Sequence, residues 1–489
     1  MSEHRIPDPG RRRALAVLGG AALAPLAGLA TPGARGQPAN PAPVALRAAP
    51  ARVAMLGAGE PSTDVWAYNG QVPGPVLRVA QGEVLRVRAT NDLAEPTTVH
   101  WHGLRIPNAM DGVPGVTQAP IAANGGTFDY AFACPDAGTF WYHPHLRGHV
   151  QVAMGLHGVL IVDEPEKPAV DRDLLWVLDD WRLTREGQVA GDFGSMFDAA
   201  HGGRIGNTVT INGAVPDRVA LSAGERIRLR LANVANARVF ALRFDGHAPW
   251  VVAHDGMPCE PYQPRRGRVV LGPGMRADLV LEATGEPGAA FRVIDDFYGG
   301  QAYEVVTLAY GPARLRPPAP PATADRVRLP PNPVPEPDVD GAQRHAITFT
   351  GGMMGGMPGG GMGGGMGGGM MGGGTMGAGA VWAINGIAMT DETHAHAPLL
   401  TLAQGRTHVL ALRNETAWWH PIHVHGHSFR ILSRNGRALA RRDLADTTLL
   451  APRESAEIAF VADNPGDWMF HCHVLEHQAS GMMATLRVA

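Results

Sequence analysis

The chain has 489 residues, with 42 Lys and Arg against 45 Asp and Glu, for a formal charge of −3. With an isoelectric point near 6.7 it offers no basic field for nucleic acid. No segment beyond the N-terminal region is long and apolar enough to span a membrane, and the length suits three domains of about 110 to 150 residues each.

The first element is an address. Arg11-Arg12-Arg13 precedes an apolar run from Ala14 to Ala30 with small residues near its end. This is the pattern of a twin-arginine export signal over residues 1–37, cleaved between Ala30 and Gln37. An ordinary secretory signal with an extra Arg would deliver the chain to the same place, so an exported, periplasmic protein is expected.

Beyond the signal the pattern is that of strands. Short Thr-, Val- and Arg-alternating segments, abundant Gly and Pro and almost no long helical periodicity predict an all-β protein of Greek-key β-sandwich domains. Glu83-Val84-Leu85-Arg86-Val87-Arg88 and Glu225-Arg226-Ile227-Arg228-Leu229-Arg230 alternate as half-buried strands do. An internal repeat divides the chain further. Asn-Gly, then a Gly opening a strand that ends in Asn, occurs at Asn69-Gly70/Gly82/Asn91, Asn212-Gly213/Gly224/Asn233 and Asn385-Gly386/Gly405/Asn414. Three units of one fold follow: residues 45–165, 170–312 and 342–489. Asp163 to Asp171 connects the first two, and a Pro-rich semi-rigid linker over 313–341 connects the last two.

Histidine clusters sit at matching places in the outer units. The first holds His100-Trp101-His102 and His143-Pro144-His145; the third holds His420-Pro-Ile-His423-Val-His425 and His471-Cys472-His473, then His477 and Met482. His100 and His423 each follow the last repeat Asn at the same spacing, as do His102 and His425. In the middle unit that count lands on Leu242 and Phe244. Likewise Gly138 and Gly466 precede His143 and His471 by the same interval, whereas Gly288 leads to Val293. The middle unit therefore has no metal chemistry. Pro144 stands where Cys472 stands, so the first unit has no thiolate site.

The stretch from His471 to Met482 carries the chemistry. Successive strand residues face opposite ways, so Cys472 points away from His471 and His473. A thiolate with imidazoles and a distant thioether is the ligand set of a blue copper centre. Cys472, His477 and Met482 supply three of its parts, and a His of the 420–425 cluster the fourth. His471 and His473 would bind metal behind the strand, joined to the thiolate by one peptide link each.

In these clusters the chain resembles the multicopper oxidases, the family of laccases, bilirubin oxidases and bacterial cuprous oxidases. The resemblance spans nearly all of the mature chain and implies cupredoxin-like domains, a likeness to enzymes that couple substrate oxidation to reduction of dioxygen, and four copper ions. It implies a type 1 copper at His420, Cys472 and His477 with Met482 axial. It implies a type 2 copper at His100 and His423, and a type 3 pair held by His102, His143 and His473 on one ion and His145, His425 and His471 on the other. Asp111 resembles the family acid beside the type 2 copper and is the candidate proton relay. Relatives that carry a second acid just after the type 1 His have it where this chain has Gln478; Glu476 is the candidate substitute.

The reducing substrate is less constrained. Laccase-like relatives oxidise phenols or aromatic amines; cuprous oxidases take Cu(I) and have a Met-rich insertion at a similar place. Here a Gly-Met tract runs from 351 to 379, its eight thioethers suited to Cu(I) or else an insertion of low complexity. Cuprous oxidases also place an acid and a Met before the type 1 His, where this chain has Thr416, Ala417, Trp418 and Trp419, with Glu415 as the nearby acid. That departure favours phenol oxidation. Trp418 and Trp419 would be a floor for aromatic substrates or wall packing. A copper-free cupredoxin scaffold is the remote alternative, disfavoured because all twelve ligand positions are filled. A monomer is expected. Of three cysteines, Cys134 and Cys259 are left over in an oxidising compartment; a disulfide between the first two domains is the expectation, two buried thiols the alternative.

Overall fold

The structure, a computed structural model, describes residues 42–317, 323–353, 380–390 and 397–489. The export signal and nearly all of the Gly-Met tract lie outside the described residues. No helix among the described residues is long and apolar enough to cross a membrane.

Among the described residues six sheets pair into three sandwiches. In the first sandwich, strand Val44–Val53 runs parallel to Val84–Asn91, which is antiparallel to Gly126–Ala133; the facing sheet contains His100–His102, Gly138–His143 and Gly158–Asp163. The same parallel pairing recurs between Arg172–Trp181 and Arg226–Asn233 in the second, and between Gln343–Gly351 and Thr407–Asn414 in the third.

The repeat Asn residues explain why this unit recurs. Asn69, Asn212 and Asn385 all take positive φ, 53°, 54° and 49°, a conformation Asn tolerates better than most residues. Each side chain bridges the adjacent strand: Asn212 Nδ2 donates to the Leu175 carbonyl and its Oδ1 accepts from the Val177 amide, and Asn69 and Asn385 do the same at Ala45/Arg47 and Ala346/Thr348. Asn91, Asn233 and Asn414 end their strands alike. Asn414 Nδ2 donates to the carbonyls of Trp418 and Ala451 while Oδ1 accepts from the Thr416 amide. These amides set the loops from which the ligand strands depart.

Where the outer units place the clustered histidines the middle unit places core. His100 pairs with His143 and His423 with His471 across antiparallel strands; in the middle unit Phe244 pairs with Val293, and Leu242, Phe244 and Val293 are all buried in an apolar cluster.

Alternation describes the first unit well. In Val84–Asn91 the residues Leu85, Val87, Ala89 and Asn91 are buried. It fails for Arg226–Asn233, where both faces are covered and Arg228 and Arg230 are each 1% exposed. The reason is an interface with the first sandwich. Arg228 pairs with Glu164 at 2.6 Å and Asp278 at 2.5 Å, and Arg230 pairs with Asp173 at 2.8 Å and donates to Thr139 Oγ1. Buried arginines persist only with such partners.

The expected disulfide is absent. Cys134 and Cys259 are both free and buried, each in the apolar core of its own sandwich. Burial pushes both thiols up, to about 12, which suits small inert core residues rather than a bridge. The linker expected to be an extended spacer is also more than that: Asn332 donates to the Ala137 carbonyl and Arg105 to the Pro333 carbonyl, fastening it along the first sandwich.

Asn212→Ala should lose both brace hydrogen bonds and strain a positive φ, lowering stability by about 2–3 kcal/mol, while Asn212→Gly, which relaxes the φ, should cost less. Denaturant unfolding of the two variants checks this; equal losses would contradict the role of the backbone conformation.

Candidate metal centre

Two ligand groups lie on opposite sides of one strand. Gly466–Cys472 is hydrogen-bonded between His420–Val424 and Met483–Val488, so its register fixes the position of every neighbouring ligand. Cys472 faces inward to the third sandwich's core; His471 and His473 face the first sandwich.

On the inner side Cys472 Sγ lies 3.4 Å from His420 Nδ1 and 3.8 Å from His477 Nδ1, and the two nitrogens are 3.1 Å apart. All three residues are fully buried. Each imidazole is turned by a bond to its far nitrogen. Thr416 Oγ1 is 2.8 Å from both Asn414 Oδ1 and His420 Nε2; because Asn414 Oδ1 can only accept, the hydroxyl donates to it and accepts from the His420 Nε2–H. His477 Nε2–H donates to the His201 carbonyl at 2.7 Å. Both Nδ1 lone pairs are thereby aimed at the thiol, the outer-partner arrangement typical of histidine ligands. Met482 is fully buried in the same core, and its main chain bonds to both Cys472 and His477. Trp382, which sequence reasoning missed, packs on the pair with ring centroids 4.3 Å from His477 and 5.1 Å from His420.

On the other side eight histidines converge from the first and third sandwiches. His102, His143 and His473 form one group whose ring nitrogens lie within 4.8 Å of one another, and His145, His425 and His471 form another; His100, His102 and His423 form a third. His471 Nε2 is 3.0 Å from His425 Nε2 and 3.4 Å from His145 Nε2. Imidazoles around one ion at bonds of roughly 2 Å have nitrogens about 3.3 Å apart.

On most of these rings one nitrogen is tied to protein and the other is not. His100 Nδ1 bonds the Asp111 carbonyl, His143 Nδ1 the Pro144 carbonyl and His423 Nδ1 the Asp446 carbonyl, at 2.8, 3.0 and 2.8 Å. Their Nε2 atoms, His102 Nδ1 and both His473 nitrogens are buried with no hydrogen-bond partner in the protein. One such orphan costs about 1–3 kcal/mol; several pointing into one volume fit a shared cation. Soft thiolate and imidazole donors on one side and imidazoles alone on the other suit copper.

Two carboxylates brace this cluster. Asp111 is buried, with Oδ2 2.9 Å from His425 Nδ1 and Oδ1 3.2 Å from His100 Nδ1. Asp446, unremarked in the sequence, has Oδ1 3.2 Å from His102 Nε2 and 3.4 Å from His423 Nδ1. Arg276 of the middle sandwich reaches it with two nitrogens, at 2.9 and 2.6 Å. Burial opposes ionisation of Asp446, yet the Arg276 charge outweighs it and holds the carboxyl below the ordinary range. Behind this pair, burial and then the Asp446 charge push Asp255 up to about 7. Two glycines make the approach possible. A side chain on Gly103 (φ +86°) would overlap Arg276 and Asp446, and one on Gly274 (φ +81°) would come within 2.8 Å of the His473 ring. Neither arginine nor carboxylate lay in a recognisable motif; only a second buried acid after the third unit's ligands, echoing Asp111 after the first unit's, hinted at Asp446.

Other predicted residues fall elsewhere. Glu476 is buried but turned to the middle sandwich, where Oε1 accepts from Asn236 at 2.8 Å. Its neighbour Gln478 is the one facing the cluster, with Nε2 3.5 Å from His145 Nδ1. Glu415 sits at the surface beside Arg413.

Profiles described as multicopper oxidase match residues 51–167, 172–311 and 374–489. The chain belongs to the multicopper oxidase family. It is 30% identical to multicopper oxidase MmcO of Mycobacterium tuberculosis over 89% of this chain and 85% of that protein. Among solved structures it is similar to a multi-copper oxidase from Pseudomonas thermotolerans, with 35% identity, a TM-score of 0.78 and coverage of 92% of this chain and 99% of that one. It is similar also to Lac15 from a marine microbial metagenome, with 37% identity, a TM-score of 0.69 and coverage of 91% and 100%. The protein is therefore an oxidoreductase that uses dioxygen, and its family implies four coppers of types 1, 2 and 3.

Arg276→Met would leave Asp446 as an uncompensated buried charge against two ligand histidines. Copper retention at the cluster should fall by about 10–100-fold, with Arg276→Lys intermediate; copper per chain after chelator dialysis, together with the type 2 electron paramagnetic signal, reads it. Unchanged copper content would sink the bracing role.

Acid should unfold the metal-free chain early. Burial, then neighbouring rings, holds His102, His143, His420, His425, His471 and His473 well below the usual imidazole pKa, and burial brings His477 to about 3. In the unfolded chain these groups titrate near about 6.5. Their native pKa values being lower, the unfolded state binds more protons below that pH. Stability is thus complete above about 6.5 and lost as pH falls. The denaturation midpoint of metal-free protein should drop between about pH 7.5 and 5.5; a flat midpoint would contradict neutral burial.

Proposed function

We propose that the chain is an exported, periplasmic laccase-like enzyme that oxidises electron-rich phenols or aromatic amines one electron at a time. The observation that carries this reading is the neutral, aromatic outer wall of the Cys472 site. The far nitrogen of His420 is held by the Thr416 hydroxyl rather than by a carboxylate, and Trp418 and the exposed Trp419 follow at once in the chain. Phe297 of the middle sandwich packs at 5.3 Å against Trp419.

His420, Cys472 and His477 with Met482 are assigned to type 1 copper. His100 and His423 are assigned to type 2, and the two buried triads to the type 3 pair, His102, His143 and His473 on one ion and His145, His425 and His471 on the other. When bound, copper supplies one-electron redox chemistry at the first site and gathers four electrons for dioxygen at the second. The protein's part is to join and insulate them. Cys472 is bonded through the backbone to His471 and His473, so the two sites are linked by single peptide units. Dioxygen reduced to two waters takes up four electrons and four protons. Asp111, with Oδ2 on His425 Nδ1, is placed to pass a proton to the cluster's edge. Glu476, turned to Asn236 of the middle sandwich, takes no part in that relay.

A second reading, oxidation of Cu(I), draws on one observation. Met353, at the start of the Gly-Met tract, donates its amide to the Ala200 carbonyl and accepts from Trp418 Nε1 at 2.9 Å. The tract therefore begins beside the type 1 ligands.

Rates of phenol and Cu(I) oxidation, compared for the full chain and for one lacking residues 354–379, test the choice. Phenol oxidation should survive the deletion and Cu(I) oxidation should fall. No phenol oxidation in either protein, with Cu(I) oxidation retained, would overturn the laccase-like reading. Cys472→Ser should lose the blue thiolate-to-copper absorption while keeping about three coppers per chain; a blue Cys472→Ser protein would overturn the type 1 assignment.

A further inference from the structure

The ring edge through which a type 1 ligand would meet a donor is already covered by protein. His477 is fully buried, and its Nε2–H is spent on the His201 carbonyl at 2.7 Å. His420 is equally inaccessible, its Nε2 on Thr416 and its ring against Trp382. A donor molecule cannot touch either imidazole.

The residue that covers His477 belongs to the middle sandwich, which contributes no ligand. His201 follows the short helix Met196–Ala200. Its ring is half-buried and donates through Nδ1 to the Phe197 carbonyl at 2.9 Å. It stacks on the Phe197 ring at 4.4 Å with planes 22° apart, and the edge of Trp418 closes the other side at 5.4 Å. Phe197 is 69% exposed and Met196 60%. A phenyl ring so exposed adds little to a core, yet here it is held parallel to an imidazole whose own carbonyl bonds a buried ligand.

We infer that His201 is the electron-entry residue, and that a planar, electron-rich aromatic donor stacks on the Phe197–His201 pair. The electron crosses the His201 peptide and the Nε2–H···O hydrogen bond to His477. The donor phenol loses one electron and its hydroxyl proton, the proton going to solvent and the electron to the oxidised type 1 site; four donors balance one dioxygen. This rests on the phenol-oxidising reading and adds the residues that receive the donor.

Phe197→Ala, His201→Ala and His201→Phe, each in the full copper-loaded chain, separate the roles. An alanine at 201 keeps the carbonyl, so the hydrogen bond to His477 and the blue band should persist, and the exposed Phe197 can be removed without disturbing the core. The readout is anaerobic bleaching of the blue band by guaiacol and by hexacyanoferrate(II). The ratio of the guaiacol to the hexacyanoferrate rate constant should fall about tenfold in both alanine variants, and His201→Phe should restore most of it. Wild-type ratios in both alanine variants would overturn electron entry at His201. A wild-type protein bleached by hexacyanoferrate(II) but never by guaiacol would instead overturn the phenol-oxidising reading itself.

Discussion

Eight imidazoles share one buried volume, and burial holds His102, His143, His423, His425, His471 and His473 toward the neutral form. Desolvation and mutual repulsion both favour the neutral ring, and a neutral ring presents one lone pair and one N–H. For His100, His102, His143, His423, His425 and His471 the N–H is disposed outward, onto Asp111, Asp446 or main-chain carbonyls, and the lone pair is left inward. Tautomer, ring orientation and metal competence are therefore one decision, made by the outer hydrogen bonds. The Cys472 site follows the same rule with Thr416 and the His201 carbonyl as the acceptors.

Such a cluster cannot belong to one sandwich. Each outer unit supplies four histidines, and the unbound cluster gives the two units little reason to stay together, since its inner nitrogens lack partners. Direct contacts such as Asn108 to the Asp467 carbonyl and Asn464 to the Ile106 carbonyl join the two units, and the middle unit adds ties to both. Arg276 grips Asp446, Asn236 grips Glu476, Arg228 meets Glu164 and Arg230 donates to Thr139. A unit without ligands thus governs how the ligands of the other two meet.

The gathering of these histidines around Cys472 and across the two outer units was legible in the chain because strand alternation and a threefold repeat are local rules. Asn91 and Asn414 set the start of equivalent loops, and counting from them reaches His100 and His423 without any knowledge of tertiary structure. The separation of Cys472 from His471 and His473 needed only the pleat of a strand. What stayed hidden arises between units. Arg276 and Asp446 are 170 positions apart, Arg228 looked like a solvent-facing residue until the first sandwich covered it, and His201 stands in a segment with no pattern of its own. The cysteine pairing failed for a related reason: spacing cannot show that each thiol is enclosed in a separate core. Glu476 and Gln478 illustrate the limit within one turn, because a short helix rather than a strand follows His473, and helical geometry turns Gln478 to the cluster and Glu476 to Asn236.

These two kinds of information assign different parts of the enzyme to different constraints. Copper ligation is dictated by local geometry, so it tolerates little variation within a strand. Access to the copper is dictated by what the neighbouring sandwich lays over His477, here a five-residue helix ending at a half-buried histidine. Covering the ligand with a peptide carbonyl protects the thiolate site from solvent while leaving a hydrogen-bonded path for an electron. Donor preference can then change through Phe197, His201 or Trp418 without disturbing a single ligand, which separates the chemistry that must be kept from the recognition that is free to vary.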